Sequence, residues 1–344
     1  MQLALVLPDL RTLRSDQAAL VRAPALAHLL TAAGTPMRDR DGIAAVLASR
    51  YGVNRQADWP LAPIRLAALG IVPGDAYWLA SDPVTLAVGR DDIQLTGMID
   101  DLGRADADAL LETLNAHFAA DGLTFVAPRP DAFFVRVAHT PRLTTHPPCA
   151  ASGRSLRTLL PDGPDADTWR RWQSEIQMLL HDHPVNAERE RAGRAPANSL
   201  WFSYGGTLPR RRELEPSIHT FATAGIAVAL AAYAGSPARA IPNCLDDALN
   251  AAGTAEMIVV ALEPSLDWET VERSWCARAR HALHAGRVAA VSLFADDMGD
   301  AVVWRARRPG LWQRFAGRYA RHDLVALLAA VGINGGPPPP QGGA

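Results

Sequence analysis

"MIVVALEPSLDWETVERSWCARARHALHAGRVAAVSLF" (Met257–Phe294) reads as strand, helix, strand. Its two ends, "MIVVALE" (Met257–Glu263) and "VAAVSLF" (Val288–Phe294), are short runs apolar on both faces, as fully buried strands are. Between them "WETVERSWCARARHALHAG" (Trp268–Gly286) is read as one helix stopped by its glycine. A unit of this kind closes as two parallel strands joined by a helical crossover. Working outward, "AVVWRAR" (Ala301–Arg307) adds a strand on one side. On the other side "SLWFSY" (Ser199–Tyr204) reads as strand and "IHTFATAGIAVALAAYAG" (Ile218–Gly235) as helix. "LALVLP" (Leu3–Pro8) is a further buried strand, with Asp9 at its carboxyl end. The expectation is an α/β core: a doubly wound, mostly parallel sheet built from the first strand and the C-terminal half.

The middle of the chain has a different texture. "QAALVRAPALAHLLTAAG" (Gln17–Gly34), "GIAAVLASRYG" (Gly42–Gly52) and "LAPIRLAALG" (Leu61–Gly70) are helical pieces, each closed by glycine. From Gly74, short β-like runs follow, split by Asp82-Pro83 and by a turn at Gly89–Asp92. An amphipathic helix with Leu110, Leu111, Leu114 and Phe118 on one stripe comes next, then the strands "LTFVAP" and "AFFVRV". A Pro/Thr/Ser-rich connector (Ala138–Ser155) leads to a helix with Trp169, Trp172, Ile176 and Leu179 on one face. The predicted division is 1–73 as the first part of the core and 74–150 as an inserted α+β unit with its connector. Residues 151–333 form the second part of the core and 334–344 a disordered tail.

At 344 residues, 49% hydrophobic and 20% charged, the composition is that of a globular protein with a sizeable core. A net charge of -2 and the lack of a basic stripe argue against nucleic acid as partner. No apolar run suits a membrane span, and the N-terminus lacks the marks of a secretory leader, so the expectation is a cytoplasmic protein. Three scattered cysteines agree with a reducing compartment and speak against structural zinc. Dinucleotide, P-loop and hydrolase-elbow fingerprints are all missing, and no cofactor is predicted.

The densest polar run is "HDHPVNAERERAGRAPANSLWFSYGG" (His181–Gly206). His181 and His183 either sit at a helix end, favoured by its dipole, or point to one side and hold a metal or phosphate. Asn186, Arg189, Asn198 and the Gly205-Gly206 pair form either an anion cradle or a loop that hydrogen-bonds its own backbone. The residues alone do not separate the two. "RRR" (Arg210–Arg212) reads as a solvated loop.

Three stretches carry a resemblance. "HPVNAERERAGRAPANSLWFSYGG" resembles the His-Pro-Val-Asn, Arg, Gly, Ala-Asn segment of archaeal-type cofactor-independent phosphoglycerate mutases, of the alkaline phosphatase superfamily. "DADALLETLNAHFAADGLTFVAP" is similar to the helix-strand unit these enzymes insert into their core. With "DWPLAPIRLAALGIVPGDAYWLASDPVTL" added, the chain is also similar to a bacterial family of RpfE-type regulatory proteins, except that Thr85 stands where that pattern has His. The mutase resemblance implies two divalent metals on Asp and His ligands and a phosphoryl-carrying Ser. Here Asp9 takes the place of the first metal-binding Asp, but Leu10 replaces the usual Gly. No Ser has the nucleophile's context, and no His follows "MIVVALE" until His281. The expectation is a mutase-like regulatory or ligand-binding protein without the two-metal centre. Its ligand contacts would be Asp9, His183, Asn186, Arg189, Asn198, Gly205 and Gly206, and its partner a phosphorylated small molecule or a protein. An active phosphomutase or phosphatase with an atypical site, or an interaction scaffold, are the alternatives.

Overall fold

The structure, a computed structural model, describes residues 1–15, 23–88, 93–151, 156, 159–211, 217–308 and 324–333. Part of the expected first helix, the Gly89–Asp92 turn, Arg212 and the 334–344 tail lie outside the described residues. The chain forms two compact units, 1–43 with 213–344, and 44–212. The strands in chain order are β1 Gln2–Val6, β2 Met37–Asp39, β3 Tyr77–Val88, β4 Ile93–Met98, β5 Leu123–Arg129 and β6 Ala132–Val137. They continue as β7 Ser199–Gly206, β8 Ile218–Phe221, β9 Met257–Ala261, β10 Ala290–Asp297 and β11 Asp300–Arg307.

The first unit holds a sheet of order β2-β11-β10-β1-β9-β8. Strands β8, β9, β1 and β10 run parallel; β11 is antiparallel to β10, and the edge strand β2 is antiparallel to β11. Central β1 is buried through Leu3, Ala4 and Leu5, as an apolar run without alternation requires. The architecture is mixed α/β, with its parallel part built from the runs that signalled it. Two readings need correction. Ile218–Phe221, expected to open a helix, is strand β8; its β-branched and aromatic residues pair with β9, and the helix starts only at Ile226, after Gly225 at φ 78°. The crossover from β9 to β10 is not one regular helix: a turn at Trp268–Thr270 opens into a π-helical stretch Val271–Cys276 before the helix Ala277–Ala285. That widened turn has a use. Glu272, nearly buried, accepts hydrogen bonds from the N–H groups of Ala25 (2.5 Å) and Leu26 (3.0 Å). It thereby caps the helix Pro24–Ala33, whose own cap residue Ala23 has no side-chain acceptor to offer.

The second unit is an antiparallel sheet of order β4-β3-β6-β5, with β7 also paired to β3. Strand β3 runs straight through Asp82-Pro83, which the sequence presents as a break. "SLWFSY", expected in the doubly wound sheet, is therefore β7 of a different sheet, antiparallel to β3 from Ser199↔Val84 to Trp78↔Gly206. The reason is packing on both faces. Leu200 and Phe202 join the cluster under the helices Arg104–Phe118 and Ala166–His181, where the Trp169 and Phe202 rings stand 5.0 Å apart. The opposite face of the sheet is covered by the helix Leu61–Ala68, through Ala62 and Leu66 against Trp78, Ala80 and Phe134. A strand covered twice reads as apolar throughout, whichever kind of sheet it joins. The unit is accordingly wider than the expected 74–150, because these helices and β7 belong to its cores. No helix among the described residues is long and apolar enough to cross a membrane.

Candidate functional site

The polar run His181–Gly206 is built inward. His181 is exposed, whereas His183 is buried as the cap of the helix Pro184–Arg191. His183 Nδ1 accepts from the Val185 N–H (3.2 Å), so the neutral ring carries its proton on Nε2, 3.0 Å from Thr113 Oγ1. Burial pushes its pKa down. The two imidazoles therefore do not share one side. Asn186, 1% exposed, donates to the Leu180 (2.7 Å) and Ala197 (3.1 Å) carbonyls and accepts from the Ala197 N–H (2.8 Å). Arg189, equally buried, donates from Nε to the Ala195 carbonyl (2.7 Å) and from Nη2 to Asp101. Asn198 donates to the Leu86 carbonyl and accepts from the Leu86 N–H, both at 2.8 Å. Thr85, standing where the resemblance has His, donates to the Pro196 carbonyl (2.7 Å).

The Gly205-Gly206 pair serves close packing. A Cβ on Gly205 would collide with the Tyr77 hydroxyl, and one on Gly206 with the ring of Pro60. Just before them Tyr204 takes a left-handed φ of 61°, where the β3–β7 ladder slips register. The bulge turns the Gly205 N–H to Asp58 Oδ2 (3.3 Å) and the Tyr204 N–H to Thr145 Oγ1 (2.9 Å). Asp58, 3% exposed, also accepts from the N–H groups of Trp59 (2.7 Å) and Thr145 (3.0 Å) and from the Thr145 hydroxyl. Burial raises its pKa, against the pull of those donors. No local pattern signals this knot, since Asp58 meets partners 87 and 147 residues away. Asn186 and Arg189 thus meet on the loop 194–197, Asn198 on the end of β3, and Gly205 on Asp58.

Asp9 stands elsewhere, in the parallel unit. It follows β1, between the ends of β9 and β10, at the carboxyl edge where open α/β sheets place ligands. Its carboxylate is gripped by Arg11: Nε lies 3.0 Å from both oxygens, Nη2 2.8 Å from Oδ2, and the Arg11 N–H donates to Oδ1 (2.8 Å). The hydrogen bonds that Arg11 donates to Asp9 raise the Arg11 pKa. Beside them at the end of β10, Asp296 accepts from the Gly299 N–H (3.2 Å), and burial raises its pKa. Asp297 pairs with Arg38 (2.7 Å), which also reaches Asp300 (3.0 Å). At the end of β9, Glu263 accepts from the Thr223 hydroxyl (3.1 Å). A guanidinium thus holds both oxygens of the carboxylate that a metal centre would need. Among the described residues no three His, Cys, Asp or Glu side chains gather as a metal-holding group. The described residues around Asp9 do not fit a two-metal site. The sequence reading passed over Arg11, whose place two positions after Asp9 at the start of a helix is the signal that could have found this pairing.

No protein-family model matches the chain. Over 152 residues it is 27% identical to a 2,3-bisphosphoglycerate-independent phosphoglycerate mutase of Methanosarcina barkeri, covering 43% of this chain and 37% of that enzyme. A Methanosarcina mazei enzyme of the same description is 26% identical over 158 residues, covering 43% and 38%. The match thus spans under two fifths of these relatives' length, and over that part the chain is homologous to cofactor-independent phosphoglycerate mutases. Among solved structures, it is similar to the cofactor-independent phosphoglycerate mutase of Thermoplasma acidophilum, with a TM-score of 0.40, 14% identity and coverage of 97% of this chain and 99% of that one. A Pyrococcus horikoshii protein gives a TM-score of 0.44 at 14% identity, covering 100% and 99%.

Proposed function

We propose that this chain is a mutase-like ligand-binding or regulatory protein, of the RpfE-type bacterial kind and working in the cytoplasm, that does not carry out two-metal phosphoryl transfer. The observation that carries this reading is the Arg11 fork on Asp9. A planar guanidinium matches a carboxylate bidentately, so Asp9 is already neutralised by the chain itself. The neighbouring carboxylates Asp296 and Asp297 are answered by a backbone N–H and by Arg38. The similarity to mutases favours a phosphorylated small molecule, or a protein carrying one, as the partner.

The test is direct. Full-length protein incubated with 3-phosphoglycerate and manganese or zinc is expected to give neither 2-phosphoglycerate nor free phosphate. Metal-dependent turnover that disappears in Asp9→Ala would overturn the reading and establish an active phosphomutase or phosphatase. A thermal shift with phosphorylated metabolites then separates a ligand sensor from a scaffold, because a ligand bound only by the native state raises its stability.

A further inference from the structure

Arg65, Arg104, Arg129 and Arg189 of the unit 44–212 are each answered by a carboxylate, from Asp82, Asp108, Asp131 and Asp101. Arg136 on β6 differs from them. It is exposed, and its guanidinium has no ion pair or hydrogen bond among the described residues. Instead it lines a cavity of about 400 Å³, a size within the range of small-molecule sites, about 300–1,000 Å³. None of the described residues lining this cavity is an Asp or Glu.

The cavity lies where the helix Arg104–Phe118 ends, the chain turns through Ala119–Gly122, and β5 starts beside β6. Most of its polar wall is already engaged. The Asn115 carboxamide donates to the Phe125 carbonyl (3.0 Å) and accepts from the Phe125 N–H (2.7 Å). In the turn, the Ala119 carbonyl accepts from the Gly122 N–H (3.3 Å), and the Gly122 carbonyl from the Ala138 N–H (2.9 Å). Gly122 keeps this turn close to β6: its φ is 74°, and a Cβ there would stand 2.8 Å from that of Ala138. Two side chains are left over. Thr124 and Arg136 are partners across β5 and β6, so they share a face with Cβ atoms about 4.5–5.5 Å apart. The exposed Thr124 hydroxyl, like the guanidinium, has no hydrogen bond among the described residues. A hydroxyl and a guanidinium fork at that spacing can donate together to one oxyanion. Ala119 and Ala138, both exposed, add apolar surface beside them.

We infer that this cavity binds a small organic anion. Its phosphate or carboxylate is taken by the Arg136 fork and the Thr124 hydroxyl, and its carbon skeleton lies against Ala119 and Ala138. The site uses neither Asp9 nor the loop 194–197, so it is independent of whether the chain transfers phosphoryl groups.

The full chain is titrated by calorimetry with propyl phosphate, with butyrate, and with uncharged butanamide. Amide signals of isotope-labelled protein locate the bound anion. At least one of the two anions is expected to bind and to move the signals of Gly122, Leu123 and Thr124, while butanamide does not bind. The tighter of the two identifies the ligand as a phosphate ester or a carboxylate. Arg136→Gln should weaken binding by about tenfold or more and Thr124→Val by about threefold. Arg194→Gln, which changes another exposed arginine of this unit outside the cavity, leaves binding unchanged. Thermal unfolding checks that each variant keeps its fold. A folded Arg136→Gln protein that binds as tightly as the parent overturns the inference. So does an equal loss in Arg194→Gln, or a parent chain that binds neither anion.

Discussion

Three asparagines do the same work at the level of single residues. Asn115 on Phe125, Asn186 on Ala197 and Asn198 on Leu86 each donate to one residue's carbonyl and accept from that residue's N–H. A carboxamide is a peptide group on a side chain, so it pairs with the backbone as a neighbouring strand does. Asn198 extends the β3–β7 ladder past Val84 in this way, and Asn115 covers part of the edge strand β5. Asp58 gives a titration that can be followed. Its pKa is raised in the folded state by burial, so the native state holds that proton more tightly than the unfolded chain. The stability this confers is fully present below the unfolded carboxyl value and is lost as pH rises through the raised folded value. Asp58→Asn cannot titrate, and its amide meets donors with a donor, at a cost of about 1–3 kcal/mol. The stability gap between the parent and Asp58→Asn should therefore be widest at low pH, narrow as pH rises through the folded value, and then stay level. Urea unfolding at a series of pH values reads it; a gap that widens with pH contradicts the raised pKa.

At the level of elements, the π-helical stretch and β7 show what periodicity misses. The 257–294 stretch was correctly legible as strand, crossover, strand, because burial sets its apolar period locally. The extra residue per turn at Val271–Cys276 was not, since it exists to deliver Glu272 to Ala25 and Leu26, some 246 residues away. Glu272→Ala removes the only side-chain cap of the helix Pro24–Ala33 seen among the described residues and is expected to cost about 1–2 kcal/mol, with Glu272→Gln costing less because one oxygen still accepts. The midpoint of chemical unfolding measures both; an Ala variant as stable as the parent would remove Glu272 from the helix's support.

The chain forms two units laid out differently along its length. Unit 44–212 is continuous in sequence and contains the clusters around Trp169 and Phe202 and around Trp78 and Phe134, while the parallel unit is assembled from both ends of the chain. A continuous segment with its own cores can fold alone. Residues 44–212 expressed by themselves are expected to unfold in one cooperative thermal transition with near-UV circular dichroism from packed tryptophans. A product with secondary structure but no cooperative transition counts against that independence.

By itself the sequence determined the short-range features: the buried strands β1, β9, β10 and β11, most of the helices, and Asp9 at the carboxyl end of β1. These follow from apolar period and from glycine stops, which neighbouring residues carry. Tertiary structure alone decided that "SLWFSYGG" joins an antiparallel sheet, that Asn186 and Arg189 are spent on the loop 194–197, and that Asp58 is buried under a bulge at Tyr204. Each of those outcomes depends on a hydrogen-bond or packing partner that arrives from elsewhere in the chain. A polar side chain has the same sequence signature whether its partner is a ligand or a backbone group, and only the fold brings that partner within hydrogen-bonding distance.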